Sequence, residues 1–208
     1  GRDNVITGNS FYSVIAGGNT HNLQGSAQRS GMFAGWDSDI NGGQASVIIG
    51  GGAHSLNAQY GGIIAGESNS NTHTRSVVVG GTGLSTNKDD EVVVPNLTIK
   101  GQVIGDVNSI TIASTTGSMD CSTGNFFDLT LAATVDTHLV TTNITAGQTI
   151  SLFLTQDAVT AGTISFSSDF LFEGGTAFTA STGLGAKDVL TFISDGTNLF
   201  ATGLKNFS

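Results

Sequence analysis

Short apolar runs recur along the first 80 residues of the chain, and each of them ends at a glycine. Each starts with a small residue and continues with two or three apolar ones, and from Ser13 onward successive starts lie 14 to 18 residues apart. A weaker apolar point follows most runs, as at Leu23, Ile40 and Leu56. The runs are "NVITG" (4–8), "SVIAG" (13–17), "GMFAG" (31–35), "SVIIG" (46–50), "GIIAG" (62–66) and "SVVVG" (76–80).

A repeat of this length is too short for a pair of helices and too irregular for a heptad. It predicts a parallel β-roll, in which each repeat forms one coil of two short strands joined by glycine turns. Glycine suits such corners because they require a positive φ or a close backbone approach. A Gly-rich disordered linker is the alternative, but disorder gives no reason for apolar runs to recur in register.

The last part of the chain has longer strands in which apolar and polar residues alternate. Turn signals such as "TAGQ", "EGG" and "SDGTN" separate these strands at hairpin-like intervals, which predicts an antiparallel β-sandwich or jelly roll. We expect Ile150, Leu152 and Leu154 to share one face, and most phenylalanines of this part to lie in the core. The strands are predicted over "NFFDLTLA" (125–132), "QTISLFLTQD" (148–157), "GTISFSSDF" (162–170), "DVLTFISDG" (188–196) and "NLFATG" (198–203).

These two styles divide the chain into three parts. The β-roll domain is predicted over residues 1–86, connecting strands over 87–117, and the sandwich domain over 118–208. The connecting segment opens with "DDE" (89–91), and it contains the only proline, Pro95.

Composition and charge exclude several partners. Of the 208 residues 30 are glycine, and 7 Lys and Arg against 16 Asp and Glu give a net charge of −9. No basic patch is available for nucleic acid or an anionic membrane surface, and no apolar run is long enough to span a bilayer. A single cysteine, Cys121, excludes an intrachain disulfide framework. Stability must come from elsewhere, for which oligomerisation is the first candidate.

The start "GRDNVITG" lies within a pattern already under way, so we expect a fragment of a longer chain.

The series "SVIAGGNTHNLQG", "SVIIGGGAHSLNA" and "SVVVGG" resembles the head repeats of trimeric autotransporter adhesins and, more strongly, related repeats in phage tail fibres. The resemblance covers about residues 4–84. It implies a left-handed parallel β-roll in which three chains wind about one axis, and hence a homotrimer.

The segments "GNFFDLTLA", "AGQTISLFLTQD", "AGTISFSSDF" and "AKDVLTFISDGTNLF" resemble a widespread C-terminal domain of phage tail fibres. This resemblance covers residue 124 to the end and implies a receptor-binding tip on the virion tail, joined to an upstream fibre shaft. A host surface glycan or outer-membrane protein would be its partner. Where that domain has tryptophans, in "SSDFLFEGGTA" and "TNLFATG", this chain has phenylalanines, which puts sugar stacking there in doubt.

Motifs for catalysis or for a cofactor were sought without success, so no enzyme activity and no cofactor are predicted. The carboxylate pairs Asp37/Asp39 and Asp169/Glu173 leave a polysaccharide-degrading tailspike open as an alternative. A fragment of a bacterial trimeric surface adhesin is the second alternative, since it would share the β-roll.

The candidate receptor-binding residues are Trp36, Asp37, Asp39 and Tyr60. Trp36 follows the run-ending Gly35, at a corner, where its ring would either stack on a sugar beside the two carboxylates or pack against a neighbouring chain. Tyr60 and Tyr12 have the same two interpretations.

His21 and His54 each lie four residues after a run-ending glycine. Stacked coils would align them, and a trimer would present each imidazole three times about its axis, as a metal or anion site requires. The simpler interpretation is a polar turn residue that faces water. We predict no metal and keep these two histidines as weak candidates.

Overall fold

The computed structural model describes residues 1–207 and divides the chain into two compact units, Gly1–Lys100 and Gly101–Ser208. The division falls within the predicted connecting segment. The described residues contain no α-helix, and their one 3-10 turn is Glu173–Gly175. None of them forms a helix long and apolar enough to cross a membrane. The predicted all-β class is confirmed, with parallel and mixed sheets.

Unit 1 consists of two sheets of very short strands. Sheet A contains β2 (Val14–Ala16), β4 (Gly31–Phe33), β6 (Val47–Ile49), β8 (Gly62–Ile64), β10 (Val77–Val79) and β11 (Val92–Val93). Sheet B contains β1 (Val5–Ile6), β3 (Asn22–Gln24), β5 (Asp39–Asn41), β7 (Ser55–Leu56) and β9 (Ser70–Asn71). The chain alternates between the sheets up to β10, and all strand pairs are parallel, so each repeat is one coil stacked on the last.

The register differs by one residue from the spacing of the apolar runs. Val14 pairs with Gly31, Gly31 with Val47, and Val47 with Gly62, which gives coils of 17, 16 and 15 residues. Gly31 and Gly62 therefore occupy the first strand position, and the small residue at the start of their coils is the preceding Ser30 or Gly61. Aligning the runs by their first letters was wrong at these two coils. It was also wrong for the first run, "NVITG", because β1 lies in sheet B, where Val5 pairs with Asn22.

Serine at the start of a coil has a structural reason. The Ser46 N–H donates to Ser30 Oγ (3.1 Å), and the Gly61 N–H donates to Ser46 Oγ (3.1 Å). The Ser46 hydroxyl in turn donates to the Ala58 carbonyl (2.6 Å). These buried hydroxyls link each coil to the next, where an unpaired backbone group would be costly.

Replacing Ser46 by Ala should lower the free energy of unfolding by about 1–3 kcal/mol, because the Ala58 carbonyl and the Gly61 N–H lose their buried partner. Urea unfolding followed by the fluorescence of Trp36, the only tryptophan, measures this in unit 1. Ser55→Ala, at an exposed position of the next strand, is the control and should change stability by less than about 0.5 kcal/mol. Equal effects of the two substitutions would contradict the stabilising role of the hydrogen bonds between coils.

The core of unit 1 is a thin double layer of side chains between the sheets. Sheet B contributes Leu23, Ile40 and Leu56, and sheet A contributes its middle strand residues, all essentially inaccessible to solvent. At the next coil Asn71 replaces the leucine, and its Nδ2 donates to the carbonyls of Gly62 (3.1 Å) and Ser76 (2.6 Å). The sheet A residues are Met32, Ile48, Ile63 and Val78.

Unit 2 also has two sheets. Sheet C contains β12 (Val107–Ser109), β15 (Phe126–Thr130), β17 (Thr149–Thr155), β19 (Phe170–Phe172), β20 (Lys187–Ser194) and β21 (Leu199–Phe207). Sheet D contains β13 (Ile112–Ala113), β14 (Thr116–Asp120), β16 (Asp136–Thr142) and β18 (Thr163–Phe166). The order is β12-β15-β17-β20-β21-β19 in sheet C and β13-β14-β16-β18 in sheet D.

The prediction of antiparallel pairing in this unit was wrong for most strands. Five of the eight strand pairs are parallel, since β14 to β18 alternate between the sheets instead of folding back within one. The "TAGQ" turn illustrates the reason, because it joins β16 of sheet D to β17 of sheet C. Only the pairs β13/β14, β17/β20 and β20/β21 are antiparallel.

Both sheets contribute to the core of unit 2. Ile150, Leu152 and Leu154 lie buried on one face of β17, as predicted. Cys121 is buried in the same core, and this burial raises the pKa of its thiol to about 11. We expected most phenylalanines of this unit to lie in the core, but four of them are exposed. These are Phe126, Phe153, Phe200 and Phe207.

Candidate functional site

Trp36 lies at the corner where the chain leaves sheet A for sheet B, in residues 34–38. At this corner of every coil one residue forms a single parallel bridge to the next coil, so that Trp36 lies between Asn19 and Gly52, and Glu67 follows Gly52. The Trp36 N–H donates to the Gly51 carbonyl (3.1 Å), which fixes the backbone of the corner. Trp36 therefore occupies one rung of an ordered ladder of side chains.

The Trp36 indole lies over the next rung. A Cβ built on Gly52 would be 2.2 Å from Trp36 Cε2, so the ring occupies the space that any other residue at position 52 would need. Trp36 is still 49% exposed. A groove of about 430 Å³ runs beside the ring, lined by Gly35, Trp36, Gly51, Gly52, Gly66 and Glu67.

Asp37 and Asp39 lie close to this corner. Asp37 is exposed with a positive φ of 48°, and Asp39 is exposed at the start of β5, on the outward face of sheet B. Partial burial and the Asp37 carboxylate raise the pKa of Asp39, while a hydrogen bond from Asn22 opposes the shift. Three of the four candidate residues are thus neighbours along the chain, although only Trp36 lines the groove.

Tyr60 is not part of this group. It lies at the opposite corner of a coil, in residues 57–61, where the chain returns from sheet B to sheet A. Here Tyr12, Arg29, Ala45, Tyr60 and Arg75 take corresponding positions, each with a positive φ, and Tyr12 and Tyr60 are exposed. The strands of both sheets separate this corner from Trp36, so Trp36 and Tyr60 cannot contact one ligand residue within a single chain.

The second carboxylate pair is held by neighbouring hydroxyls. Asp169 accepts hydrogen bonds from Thr141 and Ser167, and Glu173 is exposed in the 3-10 turn. Asp169 thus ties β16 to the segment between β18 and β19.

The simpler interpretation, that the two histidines face water, was wrong. His21 and His54 are 1% and 2% exposed, inside the coils. The Asn69 N–H donates to His54 Nδ1 (3.2 Å), and His21 Nε2 is 3.0 Å from the Ala34 carbonyl oxygen. An imidazole enclosed in its own coil cannot meet its copies about an axis, and within residues 1–207 no group of three metal-ligating side chains occurs. The metal hypothesis loses its geometric basis.

Asparagine takes the same interior position in other coils. The His21 N–H donates to Asn4 Oδ1 (3.0 Å), the Leu84 N–H donates to Asn69 Oδ1 (2.9 Å), and Asn69 Nδ2 donates to the Gly80 carbonyl (2.9 Å). Unlike these asparagines, each histidine leaves one ring nitrogen without a hydrogen-bond partner, Nδ1 in His21 and Nε2 in His54. Burial lowers the pKa of His54, and the nearby Gly50 carbonyl opposes this only in part.

A lowered pKa makes unit 1 sensitive to acid. Below the ordinary histidine value of 6.5 the unfolded chain binds a proton at His54 while the folded chain does not, so stability should fall as the pH drops from 6.5 towards the lowered pKa, and then level off. His54→Asn should remove this part of the decline, because asparagine fits the equivalent positions. Urea unfolding at pH 7.5 and pH 5, followed by Trp36 fluorescence, measures the difference. An equally steep decline in both proteins would contradict the assignment.

The outward faces of the two sheets in unit 1 differ sharply. Sheet A presents an unbroken apolar column of residues that pair in register and are 37% to 44% exposed: Phe33, Ile49, Ile64 and Val79. Beside it lies a second column of valine and glycine: Val14, Gly31, Val47, Gly62, Val77 and Val92. From β3 onward sheet B presents polar residues, among them Asn22, Asp39, Ser55 and Ser70.

Unit 2 repeats this asymmetry. The outward face of sheet C carries exposed apolar side chains on most strands, whereas that of sheet D is polar apart from Ala113 and Val140. On sheet D, Ser165 Oγ donates to Asp136 Oδ2 (2.7 Å) and lies 3.1 Å from His138 Nδ1. The exposed apolar residues of sheet C are Val107, Phe126, Phe153, Leu171, Ile193, Phe200, Leu204 and Phe207.

The apolar outward faces were missed from the sequence although a signal was present. Strands such as "VII" and "VVV" are apolar at every position. A strand that is buried on a single face requires apolar residues at alternate positions and no more, so these strands indicated that the second face is apolar too.

Comparisons with protein-family models, with curated proteins and with solved structures found no match to this chain.

Proposed function

We propose that this chain is the receptor-binding tip of a phage-type tail fibre, which acts as a homotrimer and attaches to a host surface glycan or envelope protein without chemical reaction. In this proposal unit 1 is a trimeric β-roll and unit 2 is a β-sandwich tip, joined to an upstream fibre shaft in the virion. The observation that carries the proposal is the apolar outward face of sheet A, with its counterpart on sheet C.

The extent of the apolar face on sheet A indicates that another molecule covers it. Phe33, Ile49, Ile64 and Val79 run without interruption across four strands, and exposed apolar patches of this kind mark interaction surfaces. The face repeats along the coil axis, so another copy of the same chain offers a matching surface of equal length. Closed symmetry is the usual outcome for such an interface in soluble oligomers, and the resemblance to trimeric fibres favours three copies.

Trimerisation about the apolar faces would leave sheets B and D to the solvent. Each corner and loop would then be present three times in one assembly. Weak contacts to a repetitive host surface gain strength from such multivalency, since the second and third contacts form at high effective concentration. This is adhesion through repeated weak contacts.

Binding to an array of bacterial surface glycans, with an assay for released reducing ends, tests the proposal. We expect retention that depends on multivalency, with no release of oligosaccharide. Release of reducing ends would instead favour a polysaccharide-degrading tailspike that uses a carboxylate pair such as Asp37 and Asp39. A chain that binds neither the array nor whole bacterial cells would overturn the adhesive proposal.

A further inference from the structure

The half-exposed indole of Trp36 is seated in a way that suits a ligand. Because Gly52 has no side chain, the indole occupies the space that a Cβ would take on the next coil, and Trp36 still stays 49% exposed. Gly52 itself is buried beneath the ring. A large aromatic surface held in one orientation loses little entropy when it binds a second flat apolar surface.

The charge around the ring selects the ligand. Among the residues that line the groove the single ionisable one is Glu67, one rung beyond Gly52. Asp37 and Asp39 do not line the groove, but both are exposed within three residues of Trp36 and add negative charge to that surface. Arg2, two rungs from Trp36, is paired with Asp3 (3.2 Å). An anionic ligand would meet like charge here, whereas hydroxyl and ammonium groups would meet acceptors.

We propose that the groove beside Trp36 is a subsite for a neutral or amino pyranose of a surface glycan, and that it rejects acidic sugars. The C–H face of the sugar ring packs on the indole, and the Glu67 carboxylate accepts hydrogen bonds from its hydroxyl or ammonium groups. This inference rests on the adhesive function proposed above and specifies the ligand class of one site.

Trp36 reports on its own site, because it is the only tryptophan of the chain. Its emission is to be titrated with three probes: glucosamine oligomers, maltotriose and oligogalacturonate. We expect saturable changes with the first two and none with the acidic probe. A similar response to oligogalacturonate would overturn the charge argument, and no response to any probe would overturn the subsite.

Gly52→Ala tests the seat without removing the indole. The φ of Gly52 lies outside the left-handed region, so alanine is compatible with the backbone, but its Cβ would displace the ring. Binding of maltotriose should weaken at least tenfold, while the urea midpoint shows whether unit 1 remains folded. Tyr12→Ala, at an exposed aromatic of the opposite corner, is the matched control and should bind as the unmodified chain does. Equal binding by all three proteins would contradict the proposal.

Glu67→Gln separates stacking from charge. It should weaken glucosamine binding about fivefold, as expected for an exposed ion pair, and leave maltotriose binding within twofold. No change in the preference for glucosamine would remove Glu67 from the site.

The adhesive function and this subsite fail in distinguishable ways. If Trp36→Ala retains full binding to the glycan array, the subsite is wrong and adhesion stands, through other loops. If the unmodified chain binds neither the array nor whole cells, the adhesive function fails, and the subsite fails with it.

Discussion

Ile49→Asp should convert the assembled chain into a folded monomer. Ile49 lies in the middle of the apolar column on sheet A, between Phe33 and Ile64, so in a trimer its side chain would be buried against another chain. A carboxylate there would lose its hydration without gaining a partner, which costs several kcal/mol per chain. In the single chain Ile49 is 44% exposed, so the substitution leaves the monomer fold intact.

Light scattering behind a sizing column measures this change as a threefold loss of mass, and circular dichroism shows that the β-structure persists. Ser55→Asp is the matched control, because it places the same charge on the outward face of sheet B, in a strand of the same unit. It should remain trimeric. A trimer that survives Ile49→Asp, or one that Ser55→Asp disrupts equally, would place the interface elsewhere.

Gly51→Ala should destabilise unit 1 far more than Gly50→Ala, although both glycines have positive φ, 78° and 67°. A Cβ on Gly51 would lie 2.3 Å from the Gly66 carbonyl oxygen and 2.4 Å from His54 Nε2, whereas a Cβ on Gly50 would have nothing within 4 Å. Strain and overpacking together should cost Gly51→Ala about 3 kcal/mol or more, against about 1 kcal/mol for strain alone at Gly50.

The repeats themselves agree with this difference. At the position of Gly50 two other coils carry alanine, Ala34 and Ala65, each with a positive φ. At the position of Gly51 the corresponding coils carry only glycine: Gly18, Gly35, Gly66 and Gly81. Urea midpoints from Trp36 fluorescence compare the two variants. Equal losses of stability would show that φ, and not the close approach of coils, makes glycine necessary at the corner.

Much of unit 1 was predictable because its signal is local. The glycines that end the runs mark the corners, so they predicted a coil repeat and its approximate length. A side chain would strike the next coil at only some corner glycines, among them Gly35, Gly51 and Gly66. The exact register was not predictable from the runs, since Ser30 and Gly31 are both small, and only the pairing of Gly31 with Val14 decides which begins the strand.

The expectations for the histidines and for the strand pairing of unit 2 failed because both depend on tertiary structure. A histidine in "GGNTHNLQG" has the sequence environment of an exposed turn, yet the chain at His21 turns inward and the ring contacts a carbonyl of the next coil. In unit 2 the turn signals are real, but such a turn can return a strand to its own sheet or carry it across the core. The sequence around Gly147 does not distinguish these outcomes.

The candidate site was partly predictable. Trp36 stood out as the only tryptophan, beside Asp37 and Asp39 in the sequence, and in the structure Trp36 lines the groove while the two aspartates do not. Glu67 was missed because it is 31 residues away in sequence and reaches the groove only through the stacking of two coils. Tyr60 was grouped with Trp36 by residue type, but lies at the other corner.

The mass of the unmodified chain in solution tests the central claim most directly. Light scattering over a range of concentrations should give three times 21.1 kDa if, as we propose, copies of the chain cover the apolar faces of sheets A and C. A mass of 21.1 kDa at all concentrations would contradict the account, since those faces would then be exposed to water and the multivalent mode of adhesion would have no basis.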